Sequence, residues 1–544
     1  MKRSVQGSVV PSSVRRGFHR SVAAVVALLV GLGTAGLVDT TSAGAAAPRA
    51  TSDSGGQVDK AGVIKFGADL TMLGGIRFDP ATVASPNDWY YQQYVYDSLL
   101  RQAADGSYSP GLAKSATVID PQAIVIELRP NVKFSDKTPM DAEAVKFSIE
   151  RQIASGNVGS VRTELLEVGS ITVDSPTKLT IALKTPIAGQ FYNLLAHGET
   201  MVVSPTAAKS GTSLDDKPVG AGPFVLESYT PERSVVFVKN PDYFEAKKIK
   251  LAGVELVQVT STDPQAGVNA LLDGIVDAGG VATLDQAAPL EGGGLTVDVA
   301  ASDSSFIGVQ WCKSDPALSN VKVRQALNYA VDRNEINELI FQGQSEPMWA
   351  TWTQQNTLFN PKLKEYYQHN PKKAKQLLKE AGVTNLSFDL YAGPLPEDQR
   401  IAEVLKEQWA DVGVTVNLVN FQNIVQEFFT ERKAPAGVVP LRRQGLDKVT
   451  RVLVLGSIGN LCNYDDPKIN TMVDNIRKLD AGAKEYQQAW WDLDSYIVKN
   501  ALHAYLIWAL NISAYNADRV GNMTYRPDVF GQPRVDTFNV YVKK

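Results

Sequence analysis

The sequence predicts a mixed α/β protein built from more than one core. Three observations carry that expectation. The chain has 544 residues, 44% hydrophobic and 21% charged, an ordinary globular composition with length for two or three domains. The segments "LSFDLYAG", "EDQRIAEVLKEQWADVG" and "VTVNLV" form a strand–helix–strand unit, the unit that builds parallel strands into an open sheet. The segments "ATVIDPQAIVIEL" and "SITVDSPTKLTIAL" are two alternating hairpins, each reversed at a proline-containing turn, so a small α+β subdomain is expected over about residues 100–218.

Taken in order, the N-terminus comes first. Arg15, Arg16 and Arg20 precede a moderately apolar stretch over 22–38, followed by "TTSAGAAAPRA". Basic head, apolar middle and small-residue tail predict an export signal over 1–45, with Ala43 and Ala45 at the cleavage site. Arg15-Arg16 with Phe18 is similar to a twin-arginine signal; a general secretory signal is the other reading, and both stay open. The apolar run is short and broken by Gly31, Gly33 and Gly36, which argues against a retained membrane anchor. No lipobox cysteine follows it. Cleavage removes five basic residues and one acid, taking the net charge from −4 to about −8. The expected product is a soluble extracytoplasmic protein.

Residues 46–61 read as a flexible Gly/Ser-rich linker. "GVIKFGADL" is a first strand and "SPNDWYYQQYVYDSLL" an aromatic helix. A helix starting near Asp141 separates the two hairpins. "VGAGPFVLESYTPERSVVFV" makes a further hairpin, with Gly220 and Gly222 allowing a tight backbone path. "VKVRQALNYAVDRNEINELIFQG" carries Val323, Leu327, Ala330 and Val331 on a helical stripe, and "LHAYLIWALNISAY" is strand-like.

The search for reaction chemistry excludes most classes. The histidines are His19, His197, His369 and His503. No H-E-x-x-H, no phosphate-binding P-loop and no G-x-S-x-G occurs, so no enzyme is expected and no cofactor or metal is assigned. No basic excess points to nucleic acid. Cys312 and Cys462 are the only cysteines; in an oxidising compartment they can form a disulfide, the alternative being two buried thiols.

Binding chemistry is better represented. Trp89, Tyr90 and Tyr91 are consecutive, and neighbours on a helix point about 100° apart, so they cannot all face one core. With Trp349 and Trp352 they offer flat apolar faces with polar edges, suited to a ligand pocket; the competing role is core packing. Around "TERKAPAGVVPLRRQGLDKV", Arg432, Arg442, Arg443 and Asp447 flank a short apolar strand. Such groups can hold a carboxylate or an ammonium, or simply pair with each other at a surface.

Five stretches then occur in a telling order: "YDSLLRQAADGSYSPGLAKS", "LRPNVKFSDKTPMDAEAVKFSIER", "VGAGPFVLESYTPERSVVFVKNPDYF", "VKVRQALNYAVDRNEI" and "RIAEVLKEQWADVGVTVNL". Together they resemble extracellular solute-binding proteins of family 5, the oligopeptide, dipeptide and nickel-binding proteins of ABC importers. The resemblance implies a two-lobed α/β fold of periplasmic-binding-protein type II (cluster C), with an extra α+β subdomain in lobe one. Lobe one would comprise 62–99, 219–298 and 505–544, the subdomain 100–218, and lobe two 299–504. It implies a monomer that captures a peptide-like solute between its lobes and delivers it to an ABC permease. Trp89, Tyr90 and Tyr91 would line one wall; Trp349, Trp352, Arg432 and Asp447 the other, with Asp447 on a peptide ammonium. The motifs differ from the family pattern: Lys137 stands where F-x-D-G-T-P has glycine, and Ala221 where G-T-G-P-[YF] has threonine. An oligosaccharide, an aromatic solute or a metal chelate are the alternative ligands, and a carboxylate-based hydrolase the alternative class.

Overall fold

The computed structural model describes residues 56–544 except 72–74, 84–87, 104–106, 157–163, 260–262, 282, 394, 422–424, 433, 443–444, 458, 482 and 528–532. The export signal and most of the linker lie outside the described residues. Where the linker enters them it is tied down: Val58 bridges to Lys543, and the Lys544 N–H donates to the Gln57 carbonyl at 2.9 Å.

The centre of the molecule is one sheet of ten strands: β1 (Val63–Ala68), β2 (Phe224–Thr230), β3 (Ser234–Lys239), β4 (Gly253–Gln258), β5 (Ala278–Val281), β6 (Thr296–Trp311), β7 (Leu386–Ala392), β8 (Val414–Asn420), β9 (Ala436–Arg442) and β10 (His503–Tyr515). Their spatial order is β8-β7-β9-β6-β10-β5-β1-β4-β3-β2. The predicted strand–helix–strand unit forms as expected: β7 and β8 run parallel, joined by the helix Pro396–Ala410, and β9 joins β7 in parallel. In the other half β1 lies between parallel β4 and β5. The two long strands β6 and β10 pair antiparallel in the middle, with register shifts between Ala301 and Phe306 and between Ile307 and Gly308.

Alternation along these two strands separates the two faces of the sheet. Val297 and Val299 point to one side, with Ile512 and Ala514 opposite. On that side the apolar layer runs through both halves, because Val281 and Val297 pack against the core of each. On the other side the cores are separate. One holds Phe66, Ala278 and Tyr515 of lobe one; the other holds Phe306 and Leu441 of lobe two, and Trp508, from the stretch expected in lobe one, packs with them. The lobes are thus joined along one face of a shared sheet and parted along the other.

The second sheet has four antiparallel strands, Ala113–Asp120, Ala123–Leu128, Lys178–Leu183 and Val168–Ser175 in spatial order. The predicted hairpins form it, and helix α1 (Ala142–Ala154) packs on it through Val145 and Ile149. The acidic stretch before this helix is architecture. Asp141 caps the helix, accepting from the Ala144 N–H at 3.0 Å, and Glu143 stands in its first turn. Asp136 accepts from the hydroxyls of Ser204 at 2.6 Å and Thr138 at 2.5 Å. Burial opposes its charge, but these bonds hold its pKa below the usual value. Lys137 adopts φ of 72°, the left-handed region, which accounts for glycine in the family motif. Replacing Asp141 with Ala should destabilise the subdomain by about 1 kcal/mol, read as a shift in the urea midpoint; an unchanged midpoint would deny the cap any net worth.

Gly220 and Gly222 cross the Val95 backbone so closely that a Cβ would come within 2.3 and 2.5 Å of its carbonyl oxygen. The Gly222 N–H donates to that oxygen at 2.8 Å. Because the neighbouring Val219 and Ala221 pack in the subdomain core, this crossing ties the subdomain to lobe one.

Candidate ligand cleft

The parallel strands of both halves end toward the open face of the sheet's centre, where open α/β sheets bind ligands. After β9 the chain turns through Gly445 into helix α2 (Asp447–Leu453), with Asp447 in its first turn. The Asp447 carboxylate also accepts from the Thr450 hydroxyl at 3.3 Å. After β1, the Asp69 carbonyl accepts from the Tyr91 hydroxyl at 2.7 Å.

The seven residues expected to bind ligand divide by position. Trp89 and Tyr90 are each 6% exposed in the lobe-one core, and Trp89 packs on Gly198, where a Cβ would meet the indole at 2.1 Å. Tyr91 is half-buried, as the helical geometry required. Trp352 is buried, edge-on to Trp490 with ring centroids 5.0 Å apart. Trp349 is half-buried beneath the Arg333 guanidinium, 5.2 Å from its ring. Arg432 donates to Asn463 Oδ1 at 3.0 Å and to the Gly456 carbonyl at 3.3 Å. Trp352 and Asp447 share a neighbourhood through Lys448. Arg442 and Arg443 have side chains outside the described set.

Lys448 carried no signal in the sequence. It is 3% exposed, with Nζ 4.1 Å from the Trp352 ring centroid and 5.1 Å from that of Trp508. A cation between two indole faces is favourable in a desolvated site. Its Nζ donates to the Thr351 carbonyl at 3.3 Å, and the Thr351 hydroxyl donates to the buried Asp494 carboxylate while lying 2.9 Å from the Tyr505 hydroxyl. Burial raises the Asp494 pKa from 3.8 to about 7, against the pull of Thr351 and Lys448. The folded chain therefore holds a proton that the unfolded chain releases between about pH 4 and 7. Stability tied to this group falls as pH rises through that window. Asp494→Asn should flatten the dependence, so its urea midpoint should gain on wild type at pH 8 relative to pH 5; parallel pH profiles would contradict this.

Cys312, directly after β6, is bonded to Cys462, with Cα atoms 5.2 Å apart. Cys462 neighbours Asn463, the partner of Arg432.

The two lobes also touch on the open side. Gly189 of the subdomain lies against the end of helix α3 (Pro467–Lys478): a Cβ there would fall 1.7 Å from the Leu479 carbonyl oxygen. The Tyr192 hydroxyl is 3.2 Å from Asp480 Oδ2. Burial first, and Asp480 second, push the Tyr192 pKa up to about 12. Asn193 approaches Gly445, two residues before Asp447.

A jointed sheet with a cleft on one face defines a two-lobed solute-binding protein. The family described as bacterial extracellular solute-binding proteins, family 5 (middle), matches residues 107–435, and the chain belongs to it. Glutathione-binding protein GsiB of Shigella flexneri is 27% identical over 380 residues, covering 66% of this chain and 73% of that protein. The same-named protein of Salmonella paratyphi A is 28% identical over 360 residues, covering 65% and 68%. Among solved structures, the ABC transporter substrate-binding protein CtaP of Listeria monocytogenes superposes with TM-score 0.76 at 21% identity, covering 89% of this chain and all of that one. The periplasmic murein tripeptide-binding protein MppA, in its unliganded open form, gives 0.75 at 18% identity, covering 90% and 99%. Those two structures share the fold. No described helix is long and apolar enough to cross a membrane.

Proposed function

We propose that this protein captures a peptide-like solute between its lobes, without turning it over, and passes it as a monomer to an ABC permease. The observation that carries this is the pairing of family membership with a cleft whose two rims meet at Gly189 and Leu479. Relatives named for glutathione and for a murein tripeptide support a peptide-like ligand. Export would use the N-terminal signal, cleaved after Ala45. Tyr91, Trp349, Arg432 and Asp447 would meet the solute, with Trp89, Tyr90 and Trp352 packed behind them. Asp447 would take an ammonium and Arg432 a carboxylate.

The test is mass spectrometry of whatever co-purifies with the exported protein. A peptide or peptide-like amide is expected; a sugar or a metal chelate, with no peptide, would refute the ligand class. With the recovered peptide, Asp447→Ala should weaken binding at least about tenfold, by calorimetry. Binding unaltered by that change would remove Asp447 from the site.

A further inference from the structure

The floor of the cleft holds a carboxylate that no reading of the sequence singled out. Asp298 lies on β6, opposite Ser513 on β10, and Ser513 lies opposite Gly280 on β5. Paired residues on adjacent strands share a face. The neighbouring valines, Val297 and Val299, belong to the covered face, so Asp298, Ser513 and Gly280 are on the face where the lobes part. That face is open here. Gly280 and Ala300 are exposed, each in a stretch paired on one side only, where the cores of the two halves part, and Asp298 is half-buried beside them.

The Asp298 carboxylate is also unengaged: among the described residues it has no hydrogen bond or ion pair. Burial alone raises its pKa, with no neighbouring charge contributing. A partly desolvated carboxylate with no cation nearby is an unfavourable arrangement unless something else supplies the partner. Asp447, by contrast, is engaged with Thr450.

We infer that Asp298 is a cation-recognising subsite on the cleft floor, taking a protonated amine of the bound solute. This rests on solute capture between the lobes, as proposed above. It adds a requirement that the peptide reading alone does not make: the solute carries a primary or secondary ammonium that reaches the hinge strands. The site is separate from Asp447, which stands on the lobe-two rim.

The test uses the mature protein, dialysed free of small molecules and mixed with an equimolar pool. The pool contains trialanine, N-acetyl-trialanine, glutathione, spermidine and maltotriose. Members retained through rapid gel filtration are quantified by mass spectrometry. Wild type should retain amine-bearing members at least about tenfold over N-acetyl-trialanine and maltotriose, the size expected for a charge-assisted contact. The isosteric variant Asp298→Asn should lose that preference with an unchanged melting curve, and Asp447→Ala should keep part of it. Three results would overturn the inference: no amine-bearing member retained, amine-free members retained equally, or the full preference surviving in Asp298→Asn. Its failure and that of the peptide reading are distinguishable. Spermidine retained through Asp298 with no peptide bound sinks the peptide reading alone; peptides retained with a preference resting wholly on Asp447 sink the Asp298 subsite alone.

Discussion

Reducing the Cys312–Cys462 bond should unfold lobe two at markedly lower denaturant. The bond closes a loop of 150 residues that contains β7, β8, β9 and α2. Cross-links over loops of this length restrict the unfolded chain by about 4–5 kcal/mol in the chain-entropy account. The paired Cys312→Ser, Cys462→Ser variant should show the same loss without reductant. Tryptophan fluorescence suits the measurement, because Trp311, Trp352 and Trp490 lie in lobe two and Trp508 packs into its core. A urea midpoint that does not move with reductant would show that packing around Cys312, rather than the bond, holds the region. A second readout follows from Arg432. Its partners Asn463 and Gly456 lie in the segment that the bond anchors, so solute affinity should fall before global unfolding.

Gly189→Leu should hold the lobes apart. The observed contact leaves no room for a Cβ beside the Leu479 carbonyl, and backbone atoms cannot swing aside as a flexible side chain can. Closed molecules should become rare. Apparent affinity falls by the fraction of molecules able to close, so a drop of about 100-fold is expected if closure is confined to one molecule in a hundred. X-ray scattering should show no compaction on adding the co-purified solute, while the wild type contracts. Loss of a cooperative melting transition would mean that the substitution disrupts the subdomain rather than the contact between the rims. Compaction equal to wild type would mean that the lobes close by a different contact.

Much of the fold was legible because it rests on local periodicity. The alternation in 113–128 and 168–183 and the stripe in 396–410 each specify one element with one buried face. Two misjudgements are instructive. The stretch from Val321 to Phe341 is two helices, Val321–Tyr329 and Arg333–Phe341. Asp332 caps the second by accepting from the N–H groups of Asn334 and Glu335; a cap inside a continuous stripe is easily read through. The helix at Trp89 spans only Trp89–Val95, because Tyr96 turns extended to meet Gly220 and Gly222, a contact more than 120 residues away in sequence. The site was less legible. Lys448 looks like a surface charge until Trp352 and Trp508, far away in sequence, enclose it. Asp298 sits in a "VDV" alternation that any half-exposed strand could show; only the three-dimensional gap above Gly280 distinguishes it.

The shared back layer has a mechanical consequence. Two bodies linked by loops can swing freely, whereas these are two ends of one pleated sheet with a common apolar backing through Val281 and Val297. Gaping the jaws must bend β6 and β10 at their irregular stretch and shear that backing, so displacement stores elastic energy like a leaf spring. Stiffening that stretch should therefore resist opening of the molecule as a whole rather than at any one contact.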